Sequence, residues 1–414
     1  MSILTNLSSR AGLRFLRGRR AVSRWTLLPI TIPLATLLAL FSTRRRILIM
    51  PMNTSRVGHL GIDVEYALSE LDTLPARVRP RLLIVPMRID LKVANRALVR
   101  AWKDSVCWIP QWLGVPLIWL LRSNDRTRSL VYRAPKNIAG RFHWGGDPYG
   151  FTATGAAHLR IAPEQMQIAC RSLEQMGLDL SRPYVCLHIR DSRYHQVHSG
   201  SQWREPQEWR NLDLGLFSLA VQSLAEEGYQ VVRLGVNAKE RLLGADEREV
   251  FDYATNGFRS ELMDVVLVSR CAFMVSTNSG IDSLAQTFRK PLYNVGVIAP
   301  SQLYIHRNLF SIIQRFREIS TGRLLSLRES LVLPRITDAS LAEMGLSAVP
   351  NSADEIADLA IEADQRFRGV WGPTDDDLNL QRRFQALLPS EFRRFPIRGG
   401  IGTAFLRRHR DWLD

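Results

Sequence analysis

The chain of 414 residues is long enough for two domains of ordinary size, and its hydrophobic fraction of 46% is that of a globular protein. Its four cysteines lie far apart without a C-x-x-C pair, which argues against a disulfide framework and a cysteine-based zinc site and favours a reducing cytoplasm. Ten Arg and no acidic residue precede Asp63, so only +5 of the +15 net charge belongs to the remaining residues. Because the excess charge is confined to the N-terminal segment, it argues against a nucleic-acid-binding protein.

Residues 1–46 predict a segment that associates with membranes. An uncharged apolar run from Thr26 to Phe41 has Arg on both sides. The run is slightly shorter than the roughly 20 residues that span a bilayer, and Pro29 and Pro33 would kink a helix there. A spanning helix with the body inside would leave six Arg outside, against the cytoplasmic bias of basic residues. We therefore expect an in-plane or re-entrant anchor on anionic lipids; the alternatives are a signal peptide and a core or disordered segment.

Residues 47–180 predict a first domain in which strands alternate with helices. The predicted elements are strands at 47–50 and 82–85 and helices at 62–71, 92–102 and 163–176. This alternation is typical of a Rossmann-like α/β domain with a parallel sheet.

The loop after the first strand contains Gly58, a candidate substrate contact, and His59. A neutral imidazole at a strand end is well placed to take a proton near neutral pH, which makes His59 a candidate general base. Asp63 and Glu65 lie close by as orienting partners or rival bases. The alternative is that His59 only caps or packs the following helix.

Residues 181–350 predict a second α/β domain, and residues 351–414 predict C-terminal surface helices. The predicted elements are strands beginning at 184, 230, 272 and 291 and helices at 214–227, 259–269, 282–288, 354–368 and 378–394. Ligands of open α/β sheets bind beyond the carboxyl ends of the strands. Polar residues at those ends are therefore the first candidates for a site.

The strand from Tyr184 is apolar and then abruptly becomes polar, at His188, Arg190, Asp191 and Arg193. The alternation of a strand puts His188 and Arg190 on one face. A guanidinium there can hold phosphate oxygens through two parallel hydrogen bonds. The alternative is a surface Arg190 paired with Asp191.

A second signal is the turn from Ser276 to Gly280, between a predicted strand and helix. Backbone N–H groups and the helix dipole make such a turn an anion cradle, so Thr277, Ser279 and Gly280 are candidate phosphate contacts. Ser279 is equally a candidate N-cap.

Two weaker signals complete the set of candidate residues. Asp252 and Tyr253 are candidates for contact with a ribose or base. His188, His195 and His198 have no accompanying carboxylate cluster or fourth ligand, so no metal site is predicted.

Five blocks in this order resemble a bacterial family of glycosyltransferases over roughly residues 47 to 370. The blocks are R-x-G-H-L from Arg56, Y-V-C-L-H-I-R-D-S-R-Y from Tyr184, G-Y-x-V-V-R-L-G from Gly228, D-Y-A from Asp252, and R-S-E-L-M-D with C-A-F-M-V-S-T-N-S-G. The H-x-R element is also similar to that of GT-B fucosyltransferases, in which the Arg holds the donor's β-phosphate. Those enzymes usually continue with a second Arg or with Gly-Asp, whereas Asp191-Ser192-Arg193 follows here.

The resemblance implies a GT-B-like fold, with two Rossmann-like domains facing across a cleft, acceptor in the N-terminal one and donor in the C-terminal one. It implies a metal-independent, inverting hexosyl- or deoxyhexosyltransferase whose co-substrate is a nucleotide-diphosphate sugar, with no other cofactor. Together with the predicted anchor, it favours a lipid-linked or surface-polysaccharide acceptor of the cell envelope and a location on the cytoplasmic face of the inner membrane. The alternative is a non-catalytic nucleotide- or glycan-binding protein at the membrane.

Overall fold

The computed structural model describes most of the chain after residue 46. The described residues are 47–87, 93–123, 125, 127–132, 150–153, 155–190, 208–236, 241–242, 249–298, 309–334, 336–390 and 399–413, with positions 29, 31–33 and 36 of the N-terminal segment. The chain divides into two compact units, the first Met1–Lys136 with His158–Arg160 and the second Asn137–Ala157 with Ile161–Asp414.

The first unit is built on a parallel three-stranded sheet. Its strands, in spatial order, are β1 (Ile47–Met52), β2 (Arg81–Pro86) and β3 (Cys107–Trp108), and its helices are α1 (Val64–Asp72), α2 (Arg96–Ala101) and α3 (Gln111–Arg122). Helix α3 packs Val115 and Ile118 against Ile49 and Val85 of the sheet. One turn of π-helix, His59–Asp63, precedes α1 and carries the predicted base.

The second unit is built on a parallel seven-stranded sheet. Its strands are β4 (Tyr184–His188), β5 (Gln230–Leu234), β6 (Val250–Phe251), β7 (Met274–Ser276), β8 (Leu292–Val297), β9 (Leu309–Ile313) and β12 (Gly400–Ile401). The spatial order is β12-β9-β8-β7-β4-β5-β6. The chain therefore leaves β4 toward β5 and β6 and returns to β7 on the other side of β4, which makes the β4/β7 boundary a topological switch point.

The helices of the second unit include those that cover the two faces of this sheet. They are α4 (Pro163–Gln175), α5 (Ser218–Glu226), α6 (Glu261–Arg270), α7 (Asp282–Thr287), α8 (Leu327–Leu331), α9 (Asp338–Glu343), α10 (Ala353–Arg368), α11 (Asp375–Leu387) and α12 (Thr403–Arg408). Helices α5 and α10 share one hydrophobic core with Val185, Leu187 and Val275. On the opposite face, the hydroxyl of Tyr184 donates to the carbonyl of Leu267 in α6, at 2.8 Å. A smaller antiparallel pair, β10 (Arg315–Glu318) with β11 (Leu346–Val349), packs with α9.

The prediction of an α/β chain with parallel sheets is confirmed, but two features of the predicted domain plan differ from the structure. Helix α4, predicted in the first domain by the boundary at 180, belongs to the second unit and packs against α6. Helix α10, predicted as a surface helix of a separate C-terminal region 351–414, buries Ile356, Leu359 and Ala363 in the core of the large sheet. The reason is that an amphipathic helix covers whichever apolar sheet face is open to it.

The predicted membrane-associating segment, residues 1–46, lies almost wholly outside the described residues. Within the described part of the chain, no helix has the length and apolar character needed to cross a bilayer.

Candidate active site

The candidate site begins at the switch point, where β4 and β7 end side by side. His188 pairs in register with Ser276, and each is the last residue of its strand. The residues that follow, Arg190 and Thr277, thus leave the same edge of the sheet. Crevices at such boundaries are where open α/β sheets bind ligands.

Arg190 is held at this edge by the turn after β7. Its backbone N–H donates to Thr277 Oγ1 at 2.8 Å, and its Nη1 donates to Asn211 Oδ1 at 3.2 Å. The residue is 8% exposed. A guanidinium keeps its charge even when buried, because it is not deprotonated in proteins. Arg190 therefore places a fixed positive charge at the carboxyl ends of the two central strands.

His188 supplies a neutral ring beside that charge. Its Nδ1 lies 3.1 Å from Ser279 Oγ. Burial, with the nearby charges of Arg233 and Arg190, lowers the pKa of His188 to about 4. The imidazole therefore adds no charge near neutral pH and lines the site as a neutral hydrogen-bonding group.

The turn from Ser276 to Gly280 is organised by Asp282, which sequence reasoning did not single out. Asp282 Oδ1 accepts from Ser276 Oγ at 2.5 Å, and Oδ2 accepts from the Ser279 backbone N–H at 2.9 Å. Burial raises the pKa of Asp282 to about 7, against the lowering effect of these hydrogen bonds and of Arg210. The Ser279 N–H thus donates to a protein carboxylate. Gly280 is exposed, and the predicted contact of Ser279 and Gly280 with a phosphate stays a prediction.

Arg210 and Asn211, which the sequence analysis also missed, approach this turn from the short 3₁₀ helix Glu208–Arg210. The Arg210 guanidinium donates to the carbonyl oxygen of Asn278. Asn278 has a φ of 54°, in the left-handed region. Local sequence carries no signal for such a contact, because 68 residues separate its partners.

Asp252 follows β6, and its carboxylate has a protein partner. Its Oδ2 accepts from Arg233 Nη1 at 3.0 Å and from the Leu242 N–H at 2.8 Å, and both charged side chains are buried. The neighbouring Tyr253 hydroxyl bonds Asp264 and Ser260. The structure thus gives both residues structural partners, and their contact with a ribose or base stays a prediction.

In the first unit, His59 and Asp63 form a close pair. His59 Nδ1 lies 2.8 Å from Asp63 Oδ2, and the two side chains are 24% and 30% exposed. Burial opposes protonation, but the hydrogen bond to Asp63 and its charge outweigh burial and raise the pKa of His59 above 6.5. Gly58 has ordinary right-handed helical angles, so its backbone does not require glycine; its contact with substrate stays a prediction.

Glu65 is not part of this pair. It is fully buried and contacts His158, whose Nδ1 lies 3.0 Å from Glu65 Oε1 and whose Nε2 lies 2.7 Å from Asp72 Oδ2. The structure thus gives Glu65 a different histidine as a partner, and its role as an orienting partner of His59 or a rival base stays a prediction.

The remaining predicted residues of the polar stretch, Asp191, Arg193, His195 and His198, lie outside the described residues. Among the residues that the structure describes, no group of three or more His, Cys, Asp or Glu side chains is arranged to hold a metal ion.

No protein-family model matches the chain, and no curated protein is significantly similar to it in sequence. Among solved structures, the ADP-heptose LPS heptosyltransferase II of E. coli aligns at 14% identity with a TM-score of 0.42, over 65% of this chain and 90% of its own. The glycosyl transferase family 9 protein of Veillonella parvula aligns at 12% identity with a TM-score of 0.41, over 62% and 82%. The E. coli heptosyltransferase WaaC, solved with ADP-2-deoxy-2-fluoro heptose, aligns at 14% identity with a TM-score of 0.34, over 64% and 92%.

Proposed function

We propose that the chain is a GT-B-type glycosyltransferase that moves a hexose or deoxyhexose from a nucleoside-diphosphate sugar to a saccharide acceptor, without a metal ion. The observation that supports this most directly is the Arg190 guanidinium at the carboxyl ends of β4 and β7, the switch point of a parallel sheet. A nucleoside diphosphate bound there would place its phosphates against a fixed cation.

The chemistry requires stabilisation of a leaving diphosphate. When the bond between the anomeric carbon and the β-phosphate oxygen breaks, the bonding electron pair leaves with that oxygen and negative charge grows on the phosphate. Arg190 is held in advance by Thr277 and Asn211, so it neutralises this charge with little reorganisation. Preorganised charge of this kind replaces the role that a metal ion fills in other transferases.

The acceptor hydroxyl requires a base, which we assign to His59. As the hydroxyl oxygen attacks the anomeric carbon from the side opposite the diphosphate, its proton passes to His59 Nε2, and the configuration at that carbon inverts. Asp63 accepts a hydrogen bond from the Nδ1–H of the ring and stabilises the imidazolium that forms.

The proposed acceptor is lipid-linked or a precursor of a surface polysaccharide of the bacterial cell envelope. Residues 1–46 combine an apolar run with nine Arg and no acid, a composition that favours anionic membrane surfaces. Since nucleotide sugars are cytoplasmic, the proposed location is the cytoplasmic face of the inner membrane.

The proposal is tested by incubating the purified protein with a panel of ADP-, GDP- and UDP-sugars, with and without EDTA. We expect binding and slow hydrolysis or transfer of at least one donor, unchanged by EDTA. Loss of turnover with EDTA would contradict the metal-free mechanism. Binding of a donor without any turnover would favour a nucleotide- or glycan-binding protein, and no binding at all would overturn both.

The decisive variant is Arg190→Lys, which keeps the charge but loses the two-pronged hydrogen bonding of guanidinium. We expect turnover to fall by about 10²-fold, the scale of losing one donor to a developing oxyanion. The control is Arg270→Lys at the end of α6, which makes the same change at the amino-terminal edge of the sheet. Near-normal turnover in Arg190→Lys would show that Arg190 is structural.

A further inference from the structure

The segment Glu208–Asn211 is fixed from outside the large sheet by the smaller β10/β11 layer. Asp338, the first residue of α9, accepts hydrogen bonds from two successive backbone N–H groups, Glu208 at 3.0 Å and Trp209 at 3.4 Å. The Trp209 side chain packs against the hydrophobic cluster of that layer, which includes Phe316 and Leu341. The segment therefore has a defined position even though it connects distant parts of the chain.

On its other side, the same segment reaches the residues around Arg190. Asn211 Oδ1 accepts from Arg190 Nη1 at 3.2 Å, and Asn211 Nδ2 in turn donates to Glu208 Oε2 at 2.6 Å. The neighbouring Arg210 donates to the carbonyl of Asn278, in the turn whose Thr277 holds the Arg190 backbone. The Arg210 guanidinium and the Arg190 backbone thus contact the same turn, at the carboxyl end of β7, and the Arg190 guanidinium contacts the residue next to Arg210.

We propose that Arg210 is a second diphosphate-binding residue of this site and contacts the leaving phosphate together with Arg190. This inference rests on the proposed function and adds to it a cation from a segment far from the H-x-R element. A nucleoside diphosphate carries more than one negative charge, and a single guanidinium offsets only one of them. Arg210 supplies the second.

The charges around Arg210 are consistent with this role. The Asn278 carbonyl that it contacts carries no net charge, and a guanidinium has five N–H donors to distribute. Arg210 also interacts electrostatically with Asp282: its charge lowers the pKa of that carboxyl, which burial raises to about 7.

The test is isothermal titration of the wild type, Arg210→Gln, Arg210→Lys and the control Arg270→Gln with UDP, GDP and ADP and with the matching monophosphates. For the nucleotide that the wild type binds, we expect Arg210→Gln to weaken diphosphate affinity by about 10- to 100-fold, the scale of one charge-assisted hydrogen bond, and monophosphate affinity by less. We expect the diphosphate affinity of Arg210→Lys to lie between those of the wild type and Arg210→Gln, and that of Arg270→Gln to match the wild type.

Each outcome separates this inference from the proposed function. Diphosphate affinity in Arg210→Gln equal to that of the wild type, while Arg190→Lys still loses turnover, would overturn the role of Arg210 and leave the transferase proposal intact. No binding of any nucleoside diphosphate by the wild type would overturn both. If Arg210→Gln fails to fold by circular dichroism, Arg210→Lys decides: unchanged diphosphate affinity and turnover in that variant would overturn the inference.

Discussion

At the scale of single residues, the pairing with Asp63 fixes the position of the His59 ring, the side chain that we propose as the base. One turn of π-helix sets the two side chains next to each other, and such turns recur at functional sites. The carboxylate beside Nδ1 favours the tautomer with its proton on Nδ1, which leaves Nε2 as the acceptor. It also stabilises the charged ring and raises the pKa of His59.

This raised pKa predicts the pH dependence of turnover. A base must be deprotonated to act, so kcat/KM should increase with pH through the pKa of His59, above 6.5. In Asp63→Asn the hydrogen bond to a carboxylate and its charge are lost, so the pKa of His59 should fall and the acidic limb of the profile should move to lower pH. The measurement is kcat/KM from pH 5 to 9.

Asp72→Asn is the matched control, because Asp72 contacts a different histidine, His158, on the same unit. It should leave the acidic limb where it is. An unmoved limb in an active Asp63→Asn variant would contradict the assignment of His59 as the base. The raised pKa of His59 also makes stability depend on pH. The contribution of the His59–Asp63 pair to the free energy of unfolding is complete below pH 6.5 and is lost as the pH rises through the raised pKa.

Sequence reasoning indicated His59 and Arg190 because each lies where an apolar strand ends, which is a local pattern. It missed Arg210, Asn211 and Asp282 because their roles come from contacts that form only when the chain closes. Asp282 illustrates the limit: in sequence it is one acid at the start of a predicted helix, whereas in the structure it is buried and holds Ser276 and the Ser279 backbone.

At the scale of elements, most of the predicted strands and helices were confirmed, but other elements were not predicted, among them α3, β9 and the two-residue strands. The strand predicted at 230–234 is β5 as observed, and the helix predicted at 163–176 is α4. Strands β3 and β12 have two residues each and exist only through pairing with β2 and β9. A run of two residues has no measurable hydrophobic periodicity, so these strands can be predicted only when the neighbouring strands of the sheet are known.

The contact between α3 and β2 gives a prediction for Gly114→Ala. A Cβ at Gly114 would lie 2.5 Å from Val85 Cγ1 and 2.7 Å from Val85 Cγ2, and Val85 is fully buried and stiff. We expect a net loss of about 1 to 3 kcal/mol in the free energy of unfolding, despite the higher helix propensity of alanine. The measurement is denaturant unfolding.

Gly372→Ala is the control, since no atom lies within 4 Å of its added Cβ, and it should change stability by less than about 0.5 kcal/mol. In the Val85→Ala background both Cγ atoms are absent and only the Cβ, at 3.1 Å, stays close, so Gly114→Ala should cost less than in the wild type. An equal cost in both backgrounds would show that overpacking against Val85 is not the cause.

At the scale of the whole molecule, the unequal distribution of charge is the feature that the folded units do not explain. The ten Arg that precede Asp63 carry two thirds of the +15 net charge, and nine of them lie in residues 1–46. The first strand of the folded body begins only at Ile47 and pairs in register with β2 from Arg81. The described sheet therefore begins after the basic apolar segment, and we propose that the charge of this segment binds a membrane surface.

Deletion of residues 1–43 tests whether that partner is the membrane. The truncated protein keeps β1 and should fold, and it should move from the membrane fraction to the soluble fraction. Turnover on a soluble acceptor should not change, whereas the rate on a lipid-linked acceptor in anionic vesicles should fall by about tenfold or more, because anchoring raises the effective concentration at the surface.

The variant that replaces Arg44, Arg45 and Arg46 by Gln keeps the apolar run and separates apolar insertion from the attraction of charge to anionic lipids. It should lose part of its preference for anionic over neutral vesicles, at about 1 kcal/mol per Arg near the surface, and the part that remains should weaken with salt. Membrane sedimentation of the truncated protein, or a full-length protein that is soluble without detergent, would contradict the anchor.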